Sequence, residues 1–207
     1  MTINARFLLT ALFFGVSFLP VSAAGGQENN YLVFKIQDLS FDSDIRSVEQ
    51  VLQNSFGLDT SNGINEDFAG LGYKLTEGYT FNRFLNVEGS IFYLDTSKFT
   101  VNDGTTSTTV EAEGAGAEFT IQGVYPFSPR FQVFAEGGGL FWRMNWKNRL
   151  PADAGRIKIH DDGIEAILGV GMRYLLGRNM LVELEINQTD VNDLDLTTAA
   201  LGFGFRY

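Results

Sequence analysis

From Leu194 to Tyr207 the chain reads L-D-L-T-T-A-A-L-G-F-G-F-R-Y. Ala199, Leu201, Phe203, Phe205 and Tyr207 share one parity, and Thr198, Ala200, Gly202, Gly204 and Arg206 share the other. A strand sends alternate side chains to opposite faces, so one face is apolar and ends in aromatics while the other is small or polar. The same alternation recurs along the chain. It predicts strands at Tyr31–Gln37, Phe68–Thr80, Leu85–Leu94, Val110–Tyr125, Phe131–Trp146, Gly163–Leu176 and Met180–Thr189, with Leu194–Tyr207 as the eighth.

Connections after the second, fourth and sixth strands are short: Phe81–Phe84, Pro126–Pro129 and Gly177–Asn179. Those after the first, third, fifth and seventh are generally longer. Asp38–Asp67 is the longest, with Ser43 placed to cap a short helix bearing Ile45, Val48, Val51 and Leu52. The Thr/Ser-rich Thr100–Thr109, with Asn102-Asp103-Gly104 as turn signal, and Lys147–Asp162 also read as loops. An even number of strands joined alternately by short and long connections is the arrangement of outer-membrane barrels, with both chain ends on the periplasmic side. The expectation is an all-β fold, an eight-stranded antiparallel up-and-down transmembrane β-barrel. Glu77 falls on the apolar face and interrupts its pattern. Tyr73, Tyr79, Tyr93, Tyr125, Tyr174, Phe205 and Tyr207 should point outward, and Trp142, Arg143 and Trp146 read as a membrane–water boundary.

Composition sharpens this reading. Met1–Ala23 has the form of a cleaved secretory signal: Arg6, the apolar run Phe7–Leu19, and small residues at Val21-Ser22-Ala23. That leaves 24–207 as the barrel domain. No apolar run after the signal approaches the length of a helical span, and mean hydropathy is near zero, as suits strands with one polar face. The chain has no cysteine, so disulfides do not stabilise it. Its formal charge of -10, one unit more negative once Arg6 is removed, disfavours nucleic acid as a partner.

Several stretches together resemble the OmpA-like transmembrane domain, the small barrels grouped with opacity-type surface proteins and the porin family. They are Gly70-Leu71-Gly72-Tyr73, Gly78-Tyr79-Thr80-Phe81-Asn82, Leu85-Asn86-Val87-Glu88-Gly89, Gly169-Val170-Gly171-Met172-Arg173-Tyr174 and the closing Gly202–Tyr207. The resemblance implies residence in the Gram-negative outer membrane, in contact with lipid and lipopolysaccharide. Phe203, Phe205 and Tyr207 resemble the C-terminal signal read by the barrel-assembly machinery. With the chain stopping at Tyr207, no peptidoglycan-binding domain is expected to follow.

The polar parity carries Lys35, Lys74, Arg173 and Arg206 with Glu88, Glu118, Glu136, Glu183 and Glu185. An eight-stranded barrel has an interior that side chains fill, so these charges should pair there. One reading is a structural plug; the other is a narrow gated ion path in which partners exchange. Diffusion of large solutes is not expected. A few small barrels are lipid A-modifying hydrolases with a serine–histidine pair, but the single histidine, His160, has no nucleophile beside it. No catalytic residue, cofactor or metal site is expected: Asp190, Asp193 and Asp195 match no standard calcium loop and read as turn residues. Lys147, Arg149, Arg156 and Lys158 form a basic segment suited to lipopolysaccharide phosphates or an anionic host surface. The function expected is structural or surface-interacting, with four loops displayed on a rigid barrel. The rivals are a narrow channel, a lipid A-modifying enzyme and a soluble periplasmic ligand-binding β-barrel.

Overall fold

The computed structural model describes residues 29–41, 52–54, 57, 59–61, 64–68, 71–102, 107–149, 158–191 and 194–207. The segment read as an export signal lies outside these residues, as does the Ser43 cap. Among the described residues nine strands form: β1 (Asn30–Phe41), β2 (Ile64–Phe68), β3 (Leu71–Asn82), β4 (Leu85–Asn102), β5 (Ser107–Pro126), β6 (Phe131–Arg149), β7 (Lys158–Leu175), β8 (Met180–Val191) and β9 (Leu194–Arg206). Eight of them close a ring. β1 pairs with both β3 and β9, β4 with both β3 and β5, and the remaining strands pair in sequence, all antiparallel. Closure leaves no strand edge in lipid, where an unmade backbone hydrogen bond is costly.

The ninth strand departs from expectation. β2 pairs only with β4, along Lys98–Val101, above the point where the β3–β4 pairing stops at Gly72 and Leu94. The segment expected as a single excursion thus contains a short strand continuing the line of β3, preceded by a turn of helix at residues 52–54.

The barrel wall is uneven. β4 to β7 have 18, 20, 19 and 18 residues, against 12 or 13 for β1, β3, β8 and β9. About ten residues cross the hydrocarbon layer, so four neighbouring strands rise beyond it at the end with the long connections. Thr100–Thr109, expected as a loop, is largely paired there: Thr100 faces Thr109, Val101 faces Thr108 and Asn102 faces Ser107. Lys147–Asp162 is likewise paired at both ends, with Lys147 opposite Lys158 and Arg143 opposite Asp162. His160 accordingly lies in a strand rather than a loop. Polar composition misleads in these stretches because a strand outside the bilayer has a wet outer face, and threonine and valine suit such strands.

Alternation follows the predicted parity. Leu168 is 67% exposed and Phe203 57%, while Lys35 and Glu183 on the opposite face are each 1% exposed. The named tyrosines, Phe205 and Tyr207 point outward. Tyr79 with Phe81 and Tyr125 with Phe127 make edge contacts near the short-turn end, each with centroids 4.9 Å apart, as in an interfacial aromatic belt. Glu77 gains a partner there: the Tyr207 hydroxyl donates to its Oε1 at 2.9 Å. A bulge between Leu94 and Ser97 shifts β4 by one residue, so that Phe99 and Val101 join Phe92 and Leu94 on the inner face.

Trp142 and Trp146 are a correction. They do not sit at the membrane boundary but inside the barrel, 5% and 4% exposed. They share the parity of Glu136, and β6 pairs with β5 and β7 without a register shift between them, so its faces never exchange.

Candidate functional site

The interior is stacked in three tiers. At the short-turn end Tyr31 and Val33 pack with Leu175 and Leu181. The middle tier is charged. At the long-connection end a larger apolar cluster includes Phe92, Phe99, Trp142, Met144 and Trp146, and Leu52 from the 52–54 turn is fully buried in it. Ile64 of β2 packs against the same cluster. The first long connection therefore reaches back to cover the inner face of the raised wall.

The charged tier draws on β1, β3, β4, β5, β6, β7 and β8. Arg173 Nε donates to Glu183 Oε2 at 2.6 Å, and its Nη2 reaches Glu88 Oε1 at 2.9 Å. Lys35 Nζ sits 2.6 Å from Glu183 Oε1, 3.8 Å from Glu88 Oε2, and in contact with Glu185 Oε2. Lys74 bridges Glu185 Oε1 at 2.6 Å and Glu118 Oε2 at 2.8 Å. Glu136 accepts from Gln122 Nε2 at 2.9 Å through its Oε2. Eight of the nine residues expected on the polar face thus meet in one tier. Arg206 instead lines a recess at the short-turn mouth, with Tyr31, Asn82, Arg83, Gln132 and Arg173.

Neutral members of the tier were not singled out by sequence. The Tyr31 hydroxyl donates to Glu88 Oε1 at 2.6 Å, and the Arg173 guanidinium lies 4.4 Å over the Tyr31 ring. Gln122 and Asn187 are also buried. The available signal was parity: Tyr31 shares it with Lys35, Gln122 with Glu118, and Asn187 with Glu185. Glycine makes room for the larger groups. A Cβ on Gly78 would fall on the Tyr31 ring, and one on Gly169 would overlap Asn187 Oδ1.

The other singled-out residues lie at the rim. Lys147 Nζ is 2.5 Å from Glu113 Oε1. Arg149 and Lys158 belong to the paired ends of β6 and β7, while Arg156 lies outside the described residues. His160 Nδ1 is 2.5 Å from Asn145 Oδ1. Asp190 and Asp195 face each other across β8 and β9, and Asp193 lies outside the described residues.

The model for the outer membrane protein beta-barrel domain matches residues 9–207. The chain belongs to that family. Outer membrane protein A of Serratia marcescens is 25% identical over 167 residues, covering 73% of this chain and 44% of that relative. The protein of the same name from Salmonella typhi is 25% identical over 120 residues, covering 58% and 33%. The chain therefore spans less than half the length of these curated relatives. Among solved structures, outer membrane protein AlkL superposes with a TM-score of 0.53 at 13% identity, covering 91% of this chain and 95% of that one. Ail, the attachment invasion locus protein of Yersinia pestis, gives 0.52 at 12% identity, covering 86% and 97%. These likenesses are of fold. As a member of the family, this OmpA-like barrel resides in the cell outer membrane, with its apolar parity exposed on the outside and its charged tier enclosed.

Proposed function

We propose that this outer-membrane barrel is a closed scaffold that holds its loops at the cell surface for contact with an anionic surface or ligand. The observation that carries the reading is the filled interior: an apolar tier covered by Leu52, an ion-paired tier, and the Tyr31–Leu181 tier lie one above another. Side chains of this bulk suit a plug better than a pore at this strand number. The basic segment Lys147, Arg149, Arg156 and Lys158 is the contact surface in this reading. The fold neighbour Ail has also been solved with the heparin analogue sucrose octasulfate, which makes a sulfated polymer a suitable first probe.

Lipid and lipopolysaccharide surround the barrel, and the barrel-assembly machinery reads Phe203, Phe205 and Tyr207 during insertion. We assign no catalysis in this reading, which rests on the filled interior; His160 Nδ1 lies 2.5 Å from Asn145 Oδ1 on the neighbouring strand.

Two measurements test the proposal. Refolded protein in planar bilayers should give no single-channel steps; sustained steps would replace the scaffold with a narrow channel. Proteoliposomes should bind heparin, and serine at Lys147, Arg149, Arg156 and Lys158 together should abolish that binding. Retention of binding in this variant would remove the basic segment from the function.

A further inference from the structure

The middle tier holds more negative than positive charge. Glu88, Glu118, Glu136, Glu183 and Glu185 face Lys35, Lys74 and Arg173. Unbalanced charge in an enclosed interior is costly, so the arrangement calls for further positive charge. The carboxylates do not share it evenly. One oxygen each from Glu88, Glu136 and Glu185 lies within 4.8 Å of the other two, and all three residues are buried.

A second observation points to the same spot. Asn187 is 2% exposed, and its Oδ1 has no hydrogen-bond partner although the atom is enclosed. Its Nδ2 donates to Glu185 Oε1 at 2.5 Å, which fixes the direction of the amide. The amide oxygen occupies the space over Gly169, where an added Cβ would overlap it and would lie 2.9 Å from Glu136 Oε1. An orphaned carbonyl oxygen beside clustered carboxylates is the donor set of a hard cation, since an amide oxygen can accept but cannot neutralise its neighbours.

We propose that Glu88, Glu136, Glu185 and the Asn187 side-chain oxygen form a site for one divalent cation of calcium's size within the barrel. Ligand oxygens on opposite sides of calcium are about 5 Å apart, from bonds of roughly 2.3–2.6 Å, and the ion tolerates irregular geometry. Magnesium demands a near-ideal octahedron at about 2.1 Å, which carboxylates already engaged by Lys35 and Lys74 suit less. The ion would tie β4, β6 and β8 together across the lumen. It would share the carboxylates with Lys35 and Lys74, since each carboxylate offers several lone pairs. Spacing along the chain gives no hint of the site because its ligands come from three separate strands.

The test uses the full protein, refolded in detergent micelles, stripped with a chelator and titrated with calcium chloride by calorimetry. One saturable site is expected, together with a higher unfolding temperature in calcium than in chelator. Glu136→Gln and Asn187→Ala should each weaken binding by about ten- to a hundredfold. Asn187→Asp, which adds charge beside the ion, should tighten it. The rim control Asp162→Asn should leave it unchanged. Absence of saturable binding overturns the proposal, as does binding that ignores both Glu136→Gln and Asn187→Ala, which would place the ion at the loops. If Glu136→Gln raises stability and removes no calcium response, a proton rather than a metal balances the tier, and the proposal also fails. Should Glu136→Gln not fold, the opposite shifts expected for Asn187→Ala and Asn187→Asp decide alone.

Discussion

Arg173→Met is the most demanding test of the charged tier. Arg173 is 4% exposed and meets Glu183 through Nε at 2.6 Å and Glu88 through Nη2 at 2.9 Å. Methionine keeps much of the bulk against the Tyr31 and Phe134 rings but removes the charge. Breaking a buried ion pair by deleting one partner costs about 3–5 kcal/mol, because the remaining charge stays buried. Here neither carboxylate is left wholly alone. Glu183 retains Lys35 at 2.6 Å, and Glu88 retains the Tyr31 hydroxyl at 2.6 Å. The lower end of the range applies, a loss of about 3 kcal/mol or roughly two orders of magnitude in the folding constant. Reversible urea unfolding in detergent or lipid vesicles, followed by tryptophan fluorescence, measures it. Arg178→Met, at an exposed turn, should stay within about 0.5 kcal/mol of the parent. Adding Glu183→Gln to Arg173→Met should recover part of the loss, since it lowers the excess of negative charge in the tier. A loss under about 1 kcal/mol for Arg173→Met alone would show that water or protons already compensate the tier, and the argument from pairing would fail.

Four further outcomes are expected. The chain has two tryptophans, and both face the interior, so bromine-labelled lipids should quench them far less than a Tyr125→Trp reporter in a tryptophan-free background; equal quenching would return them to the membrane boundary. Leu168→Arg places a charge on the lipid face and should cost about 2–4 kcal/mol if it lies near the midplane, whereas a neutral result in unfolding titrations would mean that this face meets water. Gly78→Ala should lose about 1–3 kcal/mol by overpacking against the Tyr31 ring, while Gly89→Ala, with open space at its Cβ, should be near neutral; similar values for the two would refute the packing argument. Intact-mass measurement of protein from the outer membrane should give a chain beginning at Ala24, and an uncleaved chain would overturn the export-signal reading.

Which side of the wall each residue faces was legible along most of the chain, because alternation relates a residue only to its neighbours two positions away. Lys35, Glu88, Arg173 and Glu183 could be placed inside, and Leu71, Phe119, Val170 and Phe203 outside, from that rule alone. Parity also pointed Trp142 and Trp146 inward, against the boundary position suggested by their residue type. Beyond the bulge in β4, parity would have misplaced Phe99 and Val101. Height within the barrel was not legible, nor which inward residues meet across it. Those depend on the stagger of eight strands around a closed ring, and most of the contacts, Arg173 with Glu183 excepted, join positions far apart in the chain. Closure of β1 onto β9 brought Lys35 onto Glu185 of β8, and the registers of β6, β7 and β8 set Glu136 and Asn187 on either side of Gly169. Only closure separated the charged tier from the apolar one above it. The sequence by itself determined an exposed apolar face and the inward parity of the charged residues. The tertiary structure decided which charges are partners, because long-range register sets the contacts across the lumen.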